Sequence, residues 1–192
     1  MKIILASASP RRAEVLSDAG IRFDVMSVEM DESRRAGESA EAMVQRLAEG
    51  KARASSALLR NVEEPVIVIG ADTVVEIEGD VLGKPGSTAS AREMLGRLSG
   101  KTHRVLTGVA ILRLADSTAR IEVECTRVHF AALTASDIDA YVATGEPLDK
   151  AGAYGIQGYG GRFVERIEGC YFNVVGLPLA RVYRILKELG AL

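Results

Sequence analysis

Residues 66–77 form a largely apolar twelve-residue run that carries one aspartate near its middle. The first four positions are β-branched and show no polar alternation, which is typical of a strand buried on both faces and central in its sheet. Residues 70–73, Gly-Ala-Asp-Thr, are expected to interrupt this strand before it resumes at 74–77. Burying an unpaired carboxylate costs several kcal/mol, so we expect a partner that holds Asp72 in place.

Strand and helix patterns alternate around this run, which indicates an α/β fold. Strands are predicted at 2–6, 23–28, 105–114, 121–128, 163–167 and 171–175. Helices are predicted at 10–19, 39–59, 89–98, 136–144 and 178–189, and Ser136 with Asp139 resembles a capping box for the fourth. Residues 145–161 contain six glycines, too many for a regular element, and such a loop is usually functional.

The composition argues against several classes of function. Lys plus Arg number 24 and Asp plus Glu 26, so the net charge of −2 leaves no general basic surface for a polynucleotide. The apolar runs fall far short of the ~20 residues that a bilayer requires, and no signal-peptide pattern begins the sequence. The two cysteines and two histidines match no zinc or disulfide pattern. We therefore expect a cytoplasmic protein with no membrane and no polynucleotide partner.

A first group of polar residues follows the predicted strand 2–6. Ser7 and Ser9 offer hydroxyl groups, the helix after Pro10 offers unpaired N–H groups, and two arginines offer donors suited to phosphate. Ser9 is expected to cap this helix. Taken alone, Arg11 and Arg12 could equally be solvated residues on a capped surface helix.

Two further candidates lie between the predicted strands 23–28 and 66–77. An acidic turn at 29–32 could supply oxygen ligands to a hard divalent cation, although such turns are more often merely solvated. Lys51 follows Ala40 by eleven residues, which places it on the apolar face of helix 39–59. A lysine there is either extended along apolar surface toward solvent or functional, and an anionic ligand under the helix would favour function.

The remaining candidates surround Asp72. Its carboxylate is either a strand-break acceptor of backbone N–H bonds or a base or metal ligand at a sheet edge, and the second interpretation is favoured. Lys84 would return beside Asp72 if a turn at residues 79–80 closes a hairpin. Gln157, in the glycine-rich segment, presents both a hydrogen-bond acceptor and donors, although a ligand-free glycine hinge is the alternative.

Five motifs, considered together, are more specific than any of them alone. They are SASPRR at 7–12, GADTVV at 70–75, GKP at 83–85, DKAGAYGIQG at 149–158 and VGLPL at 175–179. In this order and spacing they resemble the Maf family of nucleoside triphosphate pyrophosphatases over nearly the whole chain. The resemblance implies one α/β domain, residues 1–192, of the Maf and inosine-triphosphatase type: an elongated mixed sheet flanked by helices, with a central cleft between two lobes.

The resemblance also implies an activity, the hydrolysis of a nucleoside triphosphate to the monophosphate and pyrophosphate with a divalent metal, Mg²⁺ or Mn²⁺. A homodimer is a further expectation from the family. Two alternatives remain at this point: a nucleotide-sensing regulator of septum formation, and house-cleaning of modified nucleotides. Turnover at about 1 s⁻¹ or faster would favour catalysis over sensing.

The resemblance assigns roles to individual residues. Asp72 matches the proton-accepting aspartate, and Glu32 is expected to share a metal with it. Arg12, Glu32, Lys51 and Lys84 match the other polar active-site positions of the family. The chemistry of their side chains, and not the resemblance, leads us to expect that Ser7, Arg12, Lys51 and Lys84 bind the substrate phosphates. The positions linked to substrate choice are Arg11, Thr73 and Gln157. Thr73 and Gln157 are similar to the dTTP and UTP branch of the family, whereas a branch that prefers 7-methyl-GTP carries glutamine and glutamate there.

Overall fold

The structure, a computed structural model, describes residues 1–59 and 64–192 and has an α/β architecture with an open, mixed sheet. The strands in these described residues are β1 (Lys2–Ala6), β2 (Asp24–Val25), β3 (Val66–Ile77), β4 (Asp80–Leu82), β5 (Thr102–Arg113), β6 (Thr118–Phe130) and β7 (Val164–Glu168). The α-helices within the same ranges of the chain are α1 (Pro10–Asp18), α2 (Ala40–Leu58), α3 (Thr88–Leu98), α4 (Ala135–Ala143), α5 (Tyr171–Val175) and α6 (Leu179–Glu188). The predicted fold class is confirmed.

Strand β3 is central, as its apolar run predicts. The sheet order is β2-β1-β3-β5-β6-β7, and β4 pairs with β3. The pairs β1–β2 and β1–β3 are parallel, whereas β3–β4 and β6–β7 are antiparallel. The expected interruption at residues 70–73 is wrong, because β3 continues through them and Gly70 pairs with Ala6 of β1.

The chain divides into two compact units. Unit 1 comprises Met1–Asp72, Thr107–Glu124 and Gly176–Leu192. Part of its core is an apolar cluster whose buried members are Ile4, Ala6, Ala48, Ala52, Val66, Val68, Ala110 and Leu112. Helix α2 lies directly against the sheet here, since a Cβ on Gly70 would approach the Ala48 carbonyl oxygen to 2.2 Å. A Cβ on Gly108 would approach the Val44 carbonyl oxygen equally closely, at 2.2 Å.

Unit 2 comprises Thr73–Leu106 and Cys125–Val175. Its core includes a cluster of aromatic rings in which His103, Phe130 and Tyr154 meet edge to face. The predicted hairpin is confirmed, because β3 and β4 pair through Ile77 and Asp80. The glycine-rich residues 145–161 contain short 3₁₀ turns and no strand or α-helix, as their composition predicts.

Three further local predictions differ from the structure. Strand 171–175 is wrong: these residues form helix α5, in which the buried Asn173 donates to the Val105 carbonyl. The predicted strand 23–28 is reduced to β2. The capping box of α4 uses Thr134 and Asp137 in place of Ser136 and Asp139. No helix in the described parts of the chain combines the length and apolar character needed to cross a membrane.

Candidate active site

Asp72 lies on the side of β3 that faces helix α2. Residues two apart on a strand point to the same face, so Asp72 shares the face of Gly70, where the helix backbone makes its close approach. Lys51 of α2 is buried at the same place, and its Nζ donates to Asp72 Oδ1 at 2.6 Å. The two side chains are each only 10% exposed. The partner expected for the buried aspartate is therefore this lysine.

The Lys51 ammonium group also joins Asp72 to a second carboxylate. Its Nζ lies 2.5 Å from Glu32 Oε1, and the Glu32 side chain is 50% exposed. The two carboxylates thus share one cation, with the buried member on the sheet and the solvated member on the preceding loop. This arrangement explains how a carboxylate can be buried in β3 without an isolated charge.

The loop that carries Glu32 has no helix or strand of its own and is attached to α2 by an arginine. Arg46 donates to both carboxylate oxygens of Glu38, at 2.6 and 2.8 Å, and to the Ser33 carbonyl at 3.0 Å. The hydrogen bonds from Arg46 and the Arg35 backbone outweigh partial desolvation and lower the pKa of Glu38 to about 2. Glu38 is therefore ionised at neutral pH, and its bonds to Arg46 hold the loop that carries Glu32 against α2.

Arg12 extends the positive charge of the site from the start of α1. Its side chain is buried, with Nε donating to the Gly176 carbonyl at 2.8 Å and one terminal nitrogen donating to Ser7 Oγ at 2.9 Å. Burial lowers the pKa of Arg12, while attraction to Asp72 and Glu32 opposes that effect. Ser7, Arg12, Lys51, Asp72 and Glu32 are accordingly linked within unit 1 by hydrogen bonds, ion pairs and charge attraction.

Among the other residues at the start of α1, Ser9 differs from the prediction. Ser9 stands at the N-cap of α1, but its side chain makes no capping hydrogen bond, so that expectation is wrong. Its backbone N–H instead donates to Ser7 Oγ at 3.3 Å. Pro10 occupies the first turn, as expected. Arg11 is half-buried, and its positive charge acts to lower the pKa of Arg12.

Glu32 and Asp72 form a donor set that suits a hard divalent cation. Both are carboxylates, and both contact the same nitrogen, so their inner oxygens are separated by no more than about 5 Å. Among the described residues no group of three or more His, Cys, Asp or Glu side chains could hold a metal unaided. Mg²⁺ is usually bound by one or two carboxylates together with substrate phosphates and water, which fits this pair.

Thr73, Lys84 and Gln157 belong to unit 2. Thr73 is a half-buried residue of β3, directly after Asp72 in the chain, while Lys84 and Gln157 are exposed. Within this unit the Gly152 backbone N–H donates to the Gly83 carbonyl at 3.0 Å. This bond ties the turn that carries Lys84 to the glycine-rich segment that carries Gln157.

Several residues that support these groups carry no local sequence signal of their role. Arg46 and Glu38 form a pair across a loop and a helix, and no local spacing signals it. Glu146 is an acid at the start of the glycine-rich segment, and its donors are the Tyr141 hydroxyl of α4 and the backbone N–H groups of Tyr159 and Gly160 later in the same segment. His103, one of the two histidines that match no zinc pattern, is buried and hydrogen-bonded to Tyr154.

Comparisons with known proteins agree with the motifs. The Maf-like protein family matches residues 2–189. A protein of Clostridioides difficile (strain 630) is 47% identical over 188 residues, covering 98% of this chain and 95% of its own. One from Salmonella typhimurium (strain LT2) is 51% identical over 191 residues, covering 99% of this chain and 94% of its own. One from Bacillus thuringiensis subsp. konkukian (strain 97-27) is 52% identical over 189 residues, covering 98% of this chain and 96% of its own.

All three relatives carry the name dTTP/UTP pyrophosphatase. The family match covers nearly all of the chain, and about half of the residues are identical to each relative over almost its whole length. This chain belongs to the Maf-like protein family.

Proposed function

We propose that this protein hydrolyses dTTP and UTP to the corresponding monophosphate and pyrophosphate. The observation that carries the proposal is the buried Asp72 carboxylate, which lies 2.6 Å from the Lys51 ammonium group beside Glu32 and Arg12. A shielded acid among cations suits the hydrolysis of a phosphoanhydride. The printed names of the relatives, dTTP/UTP pyrophosphatase, support the same reaction and its substrates.

In the proposed reaction Asp72 acts on the attacking water. Its carboxylate accepts a hydrogen bond from the water and takes its proton as the oxygen attacks the α-phosphorus. The new bond joins the water oxygen to the α-phosphorus, and the bond from this phosphorus to the bridging oxygen breaks. Pyrophosphate leaves opposite the attacking oxygen. Because Asp72 is buried, little competing water surrounds it.

The cations of the site bind the phosphates in this proposal. Arg12 is fixed by Ser7 and the Gly176 carbonyl, so its guanidinium group is held in one orientation, in which it is proposed to bind a phosphate. Lys51 offers three donors, and transfer of one of them from Glu32 to a phosphate oxygen keeps Asp72 neutralised. Ser7 and the exposed Lys84 are proposed as further phosphate ligands.

A divalent cation, Mg²⁺ or Mn²⁺, is part of the proposal. Glu32 and Asp72 would hold it together with phosphate oxygens. When bound, such an ion neutralises charge on the phosphates and on the departing pyrophosphate.

Selection of the base is assigned to Gln157, with Thr73 and Arg11 as the other positions linked to substrate choice. The Gln157 carbonyl can accept from N3–H of uracil or thymine while its amide donates to a ring oxygen. The alternative of a septum-formation regulator is not favoured, because the relatives are named as hydrolases. A cytoplasmic location, a single domain over residues 1–192, a homodimer, and action on modified pyrimidine nucleotides are further parts of the proposal.

The first experiment measures pyrophosphate release from dTTP, UTP and a panel of canonical and modified triphosphates, with and without Mg²⁺. Wild type is expected to prefer dTTP and UTP. Asp72→Asn should lower kcat by ~10²- to 10⁴-fold. Asp24→Asn is the matched control, because Asp24 is an exposed acid of unit 1 that pairs with Lys2. Equal kcat values for wild type and Asp72→Asn would reject the role of Asp72.

The second experiment tests base selection. Gln157→Glu replaces the amide with a carboxylate, which cannot donate to a ring oxygen. The ratio of kcat/KM for UTP to that for 7-methyl-GTP should fall in this variant. An unchanged ratio would show that Gln157 does not read the base.

A further inference from the structure

The glycine-rich segment of unit 2 is organised around one carboxylate, that of Glu146. Its Oε1 accepts from the Tyr141 hydroxyl at 2.9 Å and from the Gly160 backbone N–H at 3.1 Å. Its Oε2 accepts from the Tyr159 backbone N–H at 3.0 Å. Tyr159 and Gly160 are the second and third residues after Gln157, so this carboxylate fixes the chain on one side of the exposed glutamine.

Through the Tyr141 hydroxyl, the Tyr141–Glu146 pair also contacts the backbone that precedes Gln157 in the chain. The Tyr141 hydroxyl accepts from the Gly155 backbone N–H at 3.3 Å while it donates to Glu146. A Cβ added to Gly158 would lie 2.8 Å from Glu146 Oε2, so the backbone there passes directly against the carboxylate. Gln157 is thus bracketed by two stretches of backbone that are bonded to one Tyr141–Glu146 pair.

The chemistry of this pair requires an ionised acid. Three donors converge on Glu146, and only a carboxylate can accept from all of them with both of its oxygens. Partial burial opposes ionisation, but the hydrogen bonds from Tyr159, Gly160 and Tyr141 outweigh it and lower the pKa of Glu146. A neutral glutamine at this position would turn its NH₂ group toward a backbone N–H, leaving at least one donor unsatisfied.

A second anchor holds the segment three residues before Gln157. The Tyr154 hydroxyl lies 2.7 Å from His103 Nε2, and both side chains are almost completely buried. Tyr154 therefore fixes the segment in the core of unit 2. Gly155 and Ile156 are half-buried, and Gln157 is exposed.

We propose that Glu146, through its pair with Tyr141, is a positioning residue for base selection. It holds the backbone on both sides of Gln157 so that the amide meets the pyrimidine in one place. The inference rests on the proposed function, because it assumes that Gln157 reads the base. Hydrogen-bond selection depends on placement, since a displaced donor loses its bond to the correct base and gains none to the wrong one.

The test is the substrate preference of Glu146→Gln, a variant of the same size and shape. The readout is the ratio of kcat/KM for UTP to that for 7-methyl-GTP. We expect this ratio to fall on the order of tenfold, as loss of one or two positioned hydrogen bonds would cause. Asp149→Asn is the matched control, because Asp149 is an exposed acid three residues away whose carboxylate contacts Lys150. It should leave the ratio unchanged.

Tyr141→Phe provides an independent variant, and it decides the question if Glu146→Gln does not fold. It removes the hydroxyl group but keeps the ring, which packs edge to face on Phe163 with centroids 5.2 Å apart. The ratio should fall in this variant too, because the bonds to both Gly155 and Glu146 are lost.

The outcomes separate the two proposals. A wild-type protein that does not prefer UTP to 7-methyl-GTP overturns the proposed base selection and this inference with it. If wild type shows the preference, an unchanged ratio in the Glu146 and Tyr141 variants overturns the inference alone. An equal loss of kcat/KM for both nucleotides also overturns it, because that is the result expected of a purely structural residue. A fall in the ratio in these variants but not in Asp149→Asn supports it.

Discussion

Replacing Lys51 with methionine should destabilise the protein by leaving a buried charge without its partner. The two charged groups are 2.6 Å apart, and each side chain is 10% exposed. With an effective dielectric constant of about 20, Coulomb's law gives an attraction of about 6 kcal/mol at this distance. The cost of taking both ions out of water offsets most of that attraction. Lys51→Met removes the attraction but leaves Asp72 buried, and we expect a loss of about 3–5 kcal/mol in the free energy of unfolding.

A second substitution shows whether the uncompensated carboxylate causes this loss. Asp72→Asn should be milder, because Lys51 keeps its contact with Glu32 at 2.5 Å, where the carboxylate is half exposed. The double variant should be more stable than Lys51→Met alone by about 1–3 kcal/mol, since the buried carboxylate that has lost its lysine partner is then absent. A gain in stability on adding Asp72→Asn to Lys51→Met is expected only if the lysine compensates the aspartate charge. Loss of apolar packing by the lysine stem would not produce it.

Urea denaturation at pH 7, followed by far-UV circular dichroism, measures these differences. Lys101→Met is the matched control, because its ammonium group pairs with Glu78 at 2.9 Å with both side chains about half exposed. Exposed pairs of this kind contribute about 1 kcal/mol or less. If Lys51→Met and Lys101→Met were equally stable, or if adding Asp72→Asn to Lys51→Met lowered stability further, the assignment of Lys51 as the compensating charge would be refuted.

Three further predictions concern pH and packing. Burial lowers the pKa of His103 from 6.5 to about 4; stability on the order of 3 kcal/mol should therefore be lost as pH falls through this range, and His103→Gln should remove that dependence in urea titrations. If the free energy of unfolding depended on pH equally in wild type and His103→Gln, this prediction would be contradicted. The pKa of Glu38 falls from 4.5 to about 2, so Arg46→Gln should destabilise the protein at pH 7. Its difference from wild type should shrink as pH falls from 4.5 to 2, to what the bond from Arg46 to the Ser33 carbonyl contributes; a constant difference would refute this. Gly70→Ala should cost about 1–3 kcal/mol or more by forcing α2 from β3, and an unchanged thermal midpoint would disprove the close approach.

The strand pattern was predictable where burial alone determines it. The apolar run 66–77 identifies the central strand because only a strand covered on both faces can bury such a sequence. Helix α5 was not predictable in the same way. Its sequence, YFNVV, favours a strand by propensity, but Asn173 must reach Val105 and Thr126, and that tertiary requirement selects a helix.

The candidate site was predictable in its members but not in its contacts. Helical periodicity places Lys51 on the buried face of α2, and the cost of burial indicates that Asp72 needs a partner. That these two residues meet depends on Gly70, whose lack of a side chain admits the helix backbone. The pairing of Lys51 with Glu32 depends on a loop held by Arg46, and no local sequence signal reveals a bond between parts of the chain so far apart.

The buried tyrosines of unit 2 give this protein a built-in optical probe. The chain has five tyrosines and no tryptophan, so its near-ultraviolet absorbance comes mainly from phenol rings. Burial raises the pKa of both Tyr141 and Tyr154, and the bond to Glu146 raises that of Tyr141 further. During an alkaline titration, a late-ionising fraction of the absorbance therefore monitors the segment around Gln157 without any added label.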